Sequence, residues 1–159
     1  MAELEGKTAL ITGAGRGIGQ AIALAYAREG ANLSLAARSV AELEETAAEC
    51  RKFGAEVLIT PTDVTDVGQV ERLAAATIER YSTIDILVNN AGIGGPVGVL
   101  QDNDLDAWIN TVQINLIGVY LCCRAVVPVM KRQNAGRIVN LSGAGAANAW
   151  ANMSAYCSS

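Results

Sequence analysis

The chain has 159 residues, of which 51% are hydrophobic, 18% charged and 4% aromatic, and its formal net charge at pH 7 is −4. This length predicts one domain with a sizeable core, and the composition excludes a disordered or repetitive chain. The negative charge and the absence of a basic stripe argue against nucleic acid as a partner.

The start of the sequence has no secretion-signal pattern, because Glu3, Glu5 and Lys7 interrupt any apolar segment. No apolar run is expected to be long enough to cross a bilayer. These features predict a cytoplasmic protein with no membrane partner.

The four cysteines are Cys50, Cys122, Cys123 and Cys157. They form no C-x-x-C pair and the sequence contains no histidine, so no metal site is expected. Cys122 and Cys123 lie in an apolar helical pattern, where thiols act as small hydrophobic groups. We predict free, buried cysteines, as is usual in the cytoplasm.

Five apolar segments predict the buried strands of a parallel sheet. They are residues 7–12, 32–37, 56–60, 84–89 and 136–141. Helical patterns between them predict right-handed βαβ units with helices on both faces of the sheet. The expected fold is therefore α/β, a single doubly wound Rossmann domain over residues 1–159 with strand order 3-2-1-4-5, incomplete at its C-terminal side.

The first helix is expected to bury Ile18, Ala21, Ile22, Ala25 and Tyr26 on one face. Gly30 and Gly54 are expected to follow the ends of the first two helices. The segment 39–42 has the form of a capping box, and Asp66 with Gln69 is expected to cap the third helix. A long helix is predicted over 105–130, and a last one near Asn152.

A glycine-rich turn joins the first strand to the first helix. Its candidate phosphate-binding residues are Thr12, Gly13, Gly15, Arg16, Gly17, Ile18 and Gly19. Glycine lets backbone N–H groups approach a phosphate, and the positive end of the helix dipole then points at it. The turn therefore predicts dinucleotide binding. The alternative is a tight turn that only lets the helix and strand pack together.

The end of the second strand indicates which dinucleotide is bound. Residues 36–39 contain Arg38 and Ser39 but no acidic residue that would accept hydrogen bonds from a ribose 2′-OH. With Arg16, Arg38 would provide two guanidinium groups for a 2′-phosphate. We therefore expect NADP(H) to be favoured over NAD(H). In the alternative, both arginines are solvated and Ser39 is only a helix cap.

The pattern resembles the short-chain dehydrogenase/reductase family, in the branch that includes 3-oxoacyl-carrier-protein reductases. The matching positions are Thr12-Gly13-x-x-x-Gly17-Ile18-Gly19, Asp63-Val64, Asn89-Asn90-Ala91-Gly92, Asn115, Ser142 and Tyr156. They follow the family's order over nearly the whole chain. The resemblance implies hydride transfer between a nicotinamide cofactor and a small carbonyl or secondary alcohol.

The resemblance also implies a role for each matching residue. Asp63 would hold the adenine amino group beside Val64. Three further residues would brace the fourth strand and lie along the ribose of the cofactor, namely Asn89, Ala91 and Gly92. In each case a purely structural role is the alternative, and for Asp63 this is a turn.

Three matching residues would be catalytic. Asn115 would interrupt its helix so that a backbone carbonyl holds a water in a proton relay. Ser142 would hydrogen-bond the substrate oxygen, and Tyr156 would be the general acid/base. The alternatives are a helix kink, a strand-end cap and an interfacial aromatic residue, respectively.

The family has a lysine four residues after this tyrosine, and its charge lowers a tyrosine pKa that is ordinarily about 10. That position lies one residue beyond Ser159. Because the motif stops here, we expect the chain to be incomplete. Either the gene product is longer, or this is a truncated form. The 159-residue chain by itself is expected to be inactive, and a nucleotide-binding module without catalysis is the alternative function.

The resemblance places substrate recognition mainly after the sixth strand, while residues 94–104 could line one wall. It also implies a homo-oligomer, a dimer or tetramer that packs through the long helix. Residues 114–130 are apolar on more than one face, which agrees with such an interface. Packing within a single subunit is the alternative.

Overall fold

The computed structural model describes residues 2–159. Its strands are β1 (Thr8–Thr12), β2 (Asn32–Ala37), β3 (Val57–Pro61), β4 (Ile86–Asn89) and β5 (Arg137–Asn140). They form one parallel sheet in the order β3-β2-β1-β4-β5. The predicted doubly wound fold and strand order are confirmed, and strand ends differ from the prediction by a residue or two.

The helices are α1 (Gly17–Arg28), α2 (Val40–Arg51), α3 (Val67–Tyr81), α4 (Leu105–Val112), α5 (Gly118–Gln133) and α6 (Ser154–Cys157). A π-helical segment, Gln113–Ile117, joins α4 to α5. The predicted long helix is thus confirmed, although it is widened in its middle and continues three residues past the predicted end at Met130.

The central strand β1 is buried along its whole length. Its side chains alternate between two cores, because successive residues of a strand point to opposite faces. Ala9 and Ile11 belong to the core under α1 and α2, and Leu10 belongs to the core under α3 and α5. Helices therefore cover both faces, and the carboxyl ends of the strands are left open between them.

The buried face predicted for α1 is partly wrong. The residues that α1 buries are small, namely Gly19, Ala23 and Ala27. Three members of the predicted face are exposed instead, namely Ile18, Ala21 and Ala25. The helix lies so close to the sheet that small side chains fill the contact, whereas the prediction followed hydrophobicity alone. Ile22 and Tyr26 are half-buried and pack at the edge of this core.

The side-chain caps predicted at Ser39 and Asp66 are confirmed, but the return bond of a full capping box, from the Ser39 N–H to Glu42, is not formed among residues 2–159. Ser39 Oγ accepts a hydrogen bond from Glu42 N at 3.3 Å, and Asp66 Oδ1 accepts one from Gln69 N at 2.9 Å. The Gln69 N–H holds the pKa of the Asp66 carboxyl below its ordinary value. Gly30, just after α1, has φ of +83°, as a glycine that follows a helix end commonly does.

All four cysteines lie in the described part of the chain and are free. Cys50 and Cys122 are buried as predicted, and burial raises the pKa of these thiols to about 11 and about 12. Cys123 and Cys157 are only half-buried, which corrects the prediction for these two.

The continuous helix Leu105–Gln133 is 29 residues long and apolar enough to span a membrane by length and composition. The expectation that no apolar run reaches this length is therefore wrong by that criterion. One side of the helix packs against α3 and the sheet through Leu121, Cys122 and Val126. A core helix passes the same test, so the finding is weak support for a membrane span.

A buried hydrogen bond of 2.7 Å links Ser34 Oγ on β2 to Thr77 Oγ1 on α3. Thr77 Oγ1 also donates to the Leu73 carbonyl at 2.8 Å, so Ser34 must be the donor of the pair. Replacing Thr77 by valine leaves the Ser34 hydroxyl buried without an acceptor. We expect Thr77→Val to lower the free energy of unfolding in urea by about 1–3 kcal/mol.

Ser34→Ala is the matched control, because it removes the donor and leaves the bond from Thr77 to Leu73 intact. It should cost less than Thr77→Val, and the double variant should resemble Ser34→Ala. A cost for Ser34→Ala equal to that of Thr77→Val would contradict this assignment of the donor.

Candidate functional site

The glycine-rich turn after β1 folds back over its own first residues. Gly13 and Gly17 have φ of +63° and +59°, a region that side chains with a Cβ rarely adopt. A Cβ at Gly19 would overlap the carbonyl oxygen of Gly13. The first turn of α1 therefore packs on the end of β1 with no space for a side chain.

Asn90, just after β4, holds this turn from one side. Its Nδ2 donates to the carbonyl oxygens of Thr12 and Gly13, each at 3.0 Å. The hydroxyl of Thr12 completes the link, because it accepts from the backbone N–H groups of Asn90 and Ala91, each at 3.1 Å. The ends of β1 and β4 and the glycine turn thus form one hydrogen-bonded unit.

Helix α2 holds the turn from the other side. Gly15 is buried, and a Cβ there would lie 2.8 Å from the Cβ of Glu42. The Gly15 carbonyl accepts a hydrogen bond of 3.1 Å from Thr46 Oγ1. Gly15 is therefore needed for the close approach of α2.

Among residues 2–159, no side chain caps the N-terminus of α1, whose N-cap residue is Arg16. In contrast, the N-caps of α2, α3 and α4 accept hydrogen bonds through the side chains of Ser39, Asp66 and Asp104. The first N–H groups of α1 are therefore left for another acceptor, and the helix dipole adds positive charge there. This arrangement suits an anion such as a phosphate.

The uncapped turn opens onto a cavity of about 550 Å³. Predicted cofactor-binding residues that line it are Gly13, Gly15, Arg16, Gly17, Ile18, Arg38, Ser39, Asp63, Val64, Ala91 and Gly92. The structure also places residues there that the sequence analysis did not assign, namely Ala37, Glu42, Thr62, Asn90, Ile93 and Ile114. The predicted residues Thr12, Gly19 and Asn89 are buried behind this lining.

The two predicted arginines differ in their surroundings. Arg16 Nη1 lies 3.6 Å from Glu42 Oε1, and its side chain is 84% exposed. Arg38 is exposed and forms no ion pair with any residue from 2 to 159. The cavity therefore offers one free guanidinium group and one that already has a counter-ion.

Asp63 lies where β3 leads into the loop before α3. Its Oδ1 accepts hydrogen bonds from Thr65 N at 2.9 Å and from Thr65 Oγ1 at 2.8 Å. Its own N–H donates to Gln69 Oε1 at 2.9 Å. One carboxylate oxygen thus orders the turn, as the structural alternative for Asp63 expects, and the residue still lines the cavity.

Asn115 lies in the π-helical segment, so its helix is interrupted at the predicted residue. Its side chain bonds both backbone groups of Ile93: Oδ1 accepts from the N–H and Nδ2 donates to the carbonyl, each at 2.9 Å. Nδ2 also donates to Ser159 Oγ at 3.0 Å. Asn115 therefore connects the cavity wall to the end of α6.

Ser142 and Tyr156 come together at the exposed end of β5. Ser142 lies two residues after the end of β5 and is exposed. A Cβ at Gly143 would overlap Tyr156 Oη, so the tyrosine hydroxyl lies against the residue next to Ser142. Tyr156 also stacks on Trp150, with ring centroids 6.1 Å apart. Neither Ser142 nor Tyr156 lines the cavity, whereas Asn115, the third predicted catalytic residue, bonds Ile93 of the cavity wall.

Two side chains from other segments hold the short helix α6 in place. The hydroxyl of Ser154 accepts hydrogen bonds from Trp108 Nε1 at 3.1 Å and from Asn103 Nδ2 at 3.2 Å. The N–H of Gly98 donates to the Asn152 carbonyl at 2.8 Å. The loop before α4 is thus fastened to the segment that carries Tyr156.

Asn89 braces β4 against β5. It is buried, and its Nδ2 donates to Asn140 Oδ1 at 2.9 Å and to Cys123 Sγ at 3.4 Å. Within residues 2–159 its Oδ1 has no hydrogen-bond partner. The main contribution that sequence reasoning missed is that of its neighbour Asn90, which belonged to the quoted motif but received no role.

The model of the short chain dehydrogenase family matches residues 7–159. A sepiapterin reductase of Chlorobaculum tepidum is 40% identical over 94% of this chain and 64% of its own length. A 3-oxoacyl-[acyl-carrier-protein] reductase of Synechocystis is 38% identical over 89% of this chain and 58% of its own length. The chain belongs to the short-chain dehydrogenase family, which confirms the predicted resemblance, and it spans only 58–64% of these curated relatives.

Solved structures of the family have the same fold. An NAD+-bound xylitol dehydrogenase matches with a TM-score of 0.96 and 35% identity, over 98% of this chain and 60% of that one. An alcohol dehydrogenase from the archaeon Thermococcus sibiricus, complexed with 5-hydroxy-NADP, matches with a TM-score of 0.89 and 35% identity. That match covers 96% of this chain and 64% of the alcohol dehydrogenase.

The amide of Asn90 can be tested by Asn90→Asp, which places a carboxylate oxygen where Nδ2 now faces two carbonyl groups. We expect this variant to unfold at lower urea concentration than Asn90→Ala at neutral pH, by about 1 kcal/mol or more in free energy. Repulsion raises the pKa of the new carboxyl in the folded state, so the deficit should shrink as the pH falls through that value. Equal stability of the two variants at neutral pH would contradict the role of Nδ2.

Proposed function

We propose that the protein is an oxidoreductase that interconverts a carbonyl and a secondary alcohol with a nicotinamide dinucleotide, and that it prefers NADP(H). The observation that carries the proposal is the cavity at the carboxyl ends of the strands, where an uncapped helix N-terminus faces Arg38 and Asp63. Ligands of doubly wound folds bind at this place. Membership of the family and the dinucleotides held by the two structural neighbours support a nicotinamide cofactor.

The residues present fit such a cofactor. The first N–H groups of α1 would bind the pyrophosphate, since no side chain of the turn competes for them. Asp63 would accept a hydrogen bond from the adenine amino group, and Val64 would contact the ring. Ala91 and Gly92 would lie along the ribose, where a larger residue at Gly92 would crowd Asn115 Oδ1, 3.3 Å from the Cβ position.

When bound, the cofactor supplies or accepts the hydride. Tyr156 would transfer the proton through Oη, donating it to the substrate oxygen in the direction of reduction. Ser142 Oγ would donate a hydrogen bond to the same oxygen and stabilise its developing charge. Asn115 would interrupt its helix so that a backbone carbonyl holds a water of the proton relay, and its place in the π-helical segment supports this role.

We also propose that the protein acts in the cytoplasm as a homo-oligomer. The exposed residues Leu116, Tyr120 and Val127 on the long helix support association, at 49%, 61% and 37% exposure. Apolar side chains exposed on one face of a helix favour burial against a partner.

The preference for NADP(H) depends most on Arg38, because it is exposed in the cavity and forms no ion pair within the described residues 2–159. We expect Arg38→Ala to weaken NADP(H) binding about tenfold or more, and NAD(H) binding by less than about threefold. Fluorescence or calorimetric titration of both dinucleotides measures these affinities. Arg51→Ala is the matched control, because it removes the same charge from the far end of α2, outside the cavity.

Equal losses for NADP(H) and NAD(H) in Arg38→Ala would contradict the preference. So would wild-type protein that binds NADP(H) no more tightly than NAD(H). Failure to bind either dinucleotide would overturn the proposed function itself.

The polypeptide of residues 1–159 is expected to bind the dinucleotide but to show negligible turnover, since no lysine follows Tyr156 within it to assist proton transfer. The measurement is NADPH oxidation by purified, mass-verified protein with a panel of ketones. Dinucleotide titration of the same sample is the control for an intact site. Reduction of any ketone at a rate abolished by Tyr156→Phe would contradict this expectation.

A further inference from the structure

The first turn of α2 places a carboxylate in the cavity. Glu42 is the third residue of α2, where a carboxylate is favourable beside the helix N-terminus. In a full capping box its side chain would return to the N–H of Ser39. No such bond occurs among residues 2–159, and Glu42 Oε1 lies 3.6 Å from Arg16 Nη1 instead. The sequence pattern had indicated only a helix cap.

Packing holds the first part of the Glu42 side chain against the glycine turn. The Cβ of Glu42 lies against Gly15, at 2.8 Å from where a Cβ on that glycine would be. The backbone N–H of Glu42 is held by Ser39 Oγ. The base of the Glu42 side chain therefore lies against the glycine turn, and Oε2 lies 3.1 Å from the Cβ position of Gly15, beside the cavity that Arg16 and Arg38 also line.

The ion pair is accessible to solvent, with 84% of the Arg16 side chain and 38% of the Glu42 side chain exposed. Such pairs are weak, so a stronger anion can displace the carboxylate from the guanidinium group. A 2′-phosphate has nearly two negative charges and is such an anion. It would have to break the pair and then remain close to the displaced carboxylate.

The same carboxylate suits a ribose without the phosphate, because a 2′-OH can donate a hydrogen bond to it. An acidic residue usually does this from the end of the second strand. That position here is free of acids, whereas Glu42 approaches the cavity from the helix that follows. The one carboxylate thus opposes the phosphate and tolerates the hydroxyl.

We propose that Glu42 determines dinucleotide specificity by competing with the 2′-phosphate for Arg16, and so limits the preference for NADP(H). This inference rests on the proposed function. It predicts a protein that accepts both dinucleotides, with Arg38 favouring the phosphate and Glu42 opposing it.

The test is Glu42→Gln, which keeps the shape of the stem against Gly15 and removes the charge. NADP(H) affinity should rise about tenfold at low salt, while NAD(H) affinity should stay the same or fall. The gain should shrink at high ionic strength, since exposed charges are screened. Urea unfolding of the variant verifies that the turn remains intact.

Glu45→Gln is the matched control, because it removes the same charge one turn along α2 from an exposed residue outside the cavity. It should change the affinity ratio by less than about twofold. In an Arg16→Ala background, Glu42→Gln should lose most of its effect, because the two residues would act as a pair.

An unchanged affinity ratio in Glu42→Gln would overturn the inference and leave the proposed function standing, provided that wild-type protein binds a dinucleotide. Equal gains in Glu42→Gln and Glu45→Gln would also overturn it, since they would indicate a general charge effect. Wild-type protein that binds neither dinucleotide would overturn both proposals.

Discussion

The two hydrogen bonds from Asn90 to the carbonyls of Thr12 and Gly13 are the contact on which the rest of the site depends. They fix the path of the chain as it leaves β1, and Gly19 can then pack directly over the Gly13 carbonyl. The N-terminus of α1 is thereby aimed into the opening between the strands. A side chain at Gly19, or an acceptor in place of the Asn90 amide, would change this direction and move the free N–H groups away from the cavity.

The same turn also determines where the charges lie. Because α2 approaches Gly15 closely, its first turn brings Glu42 to Arg16 and its N-cap Ser39 to the cavity wall. Arg38 lies at the end of β2 and is free of this contact. Within residues 2–159, the arrangement of one paired and one unpaired guanidinium group thus follows from the packing of α2 against Gly15.

The fold could be predicted from the sequence because alternating strands and helices leave few topologies open, and because Ser39 and Asp66 cap their helices through purely local contacts. The glycine turn, the end of the second strand and the family motif together identified most of the cavity lining. The buried face of α1 could not be predicted, since it depends on how closely Ala23 and Ala27 approach the sheet. The environment of Glu42 could not be predicted either. The local sequence favoured a capping box, but the Glu42 carboxylate forms a tertiary ion pair with Arg16 in place of the bond to the Ser39 N–H.

Asn115 joins the wall of the cavity to the segment that carries Tyr156. Its side chain satisfies both backbone groups of Ile93, which lines the cavity, and it donates to Ser159 at the end of α6. The π-helical segment orients Asn115 toward both Ile93 and Ser159, since the extra residue per turn shifts the side chain around the helix. The segment that carries Tyr156 is therefore anchored from two directions, by the Asn115 amide in the widened turn and by Trp108 and Asn103 at Ser154.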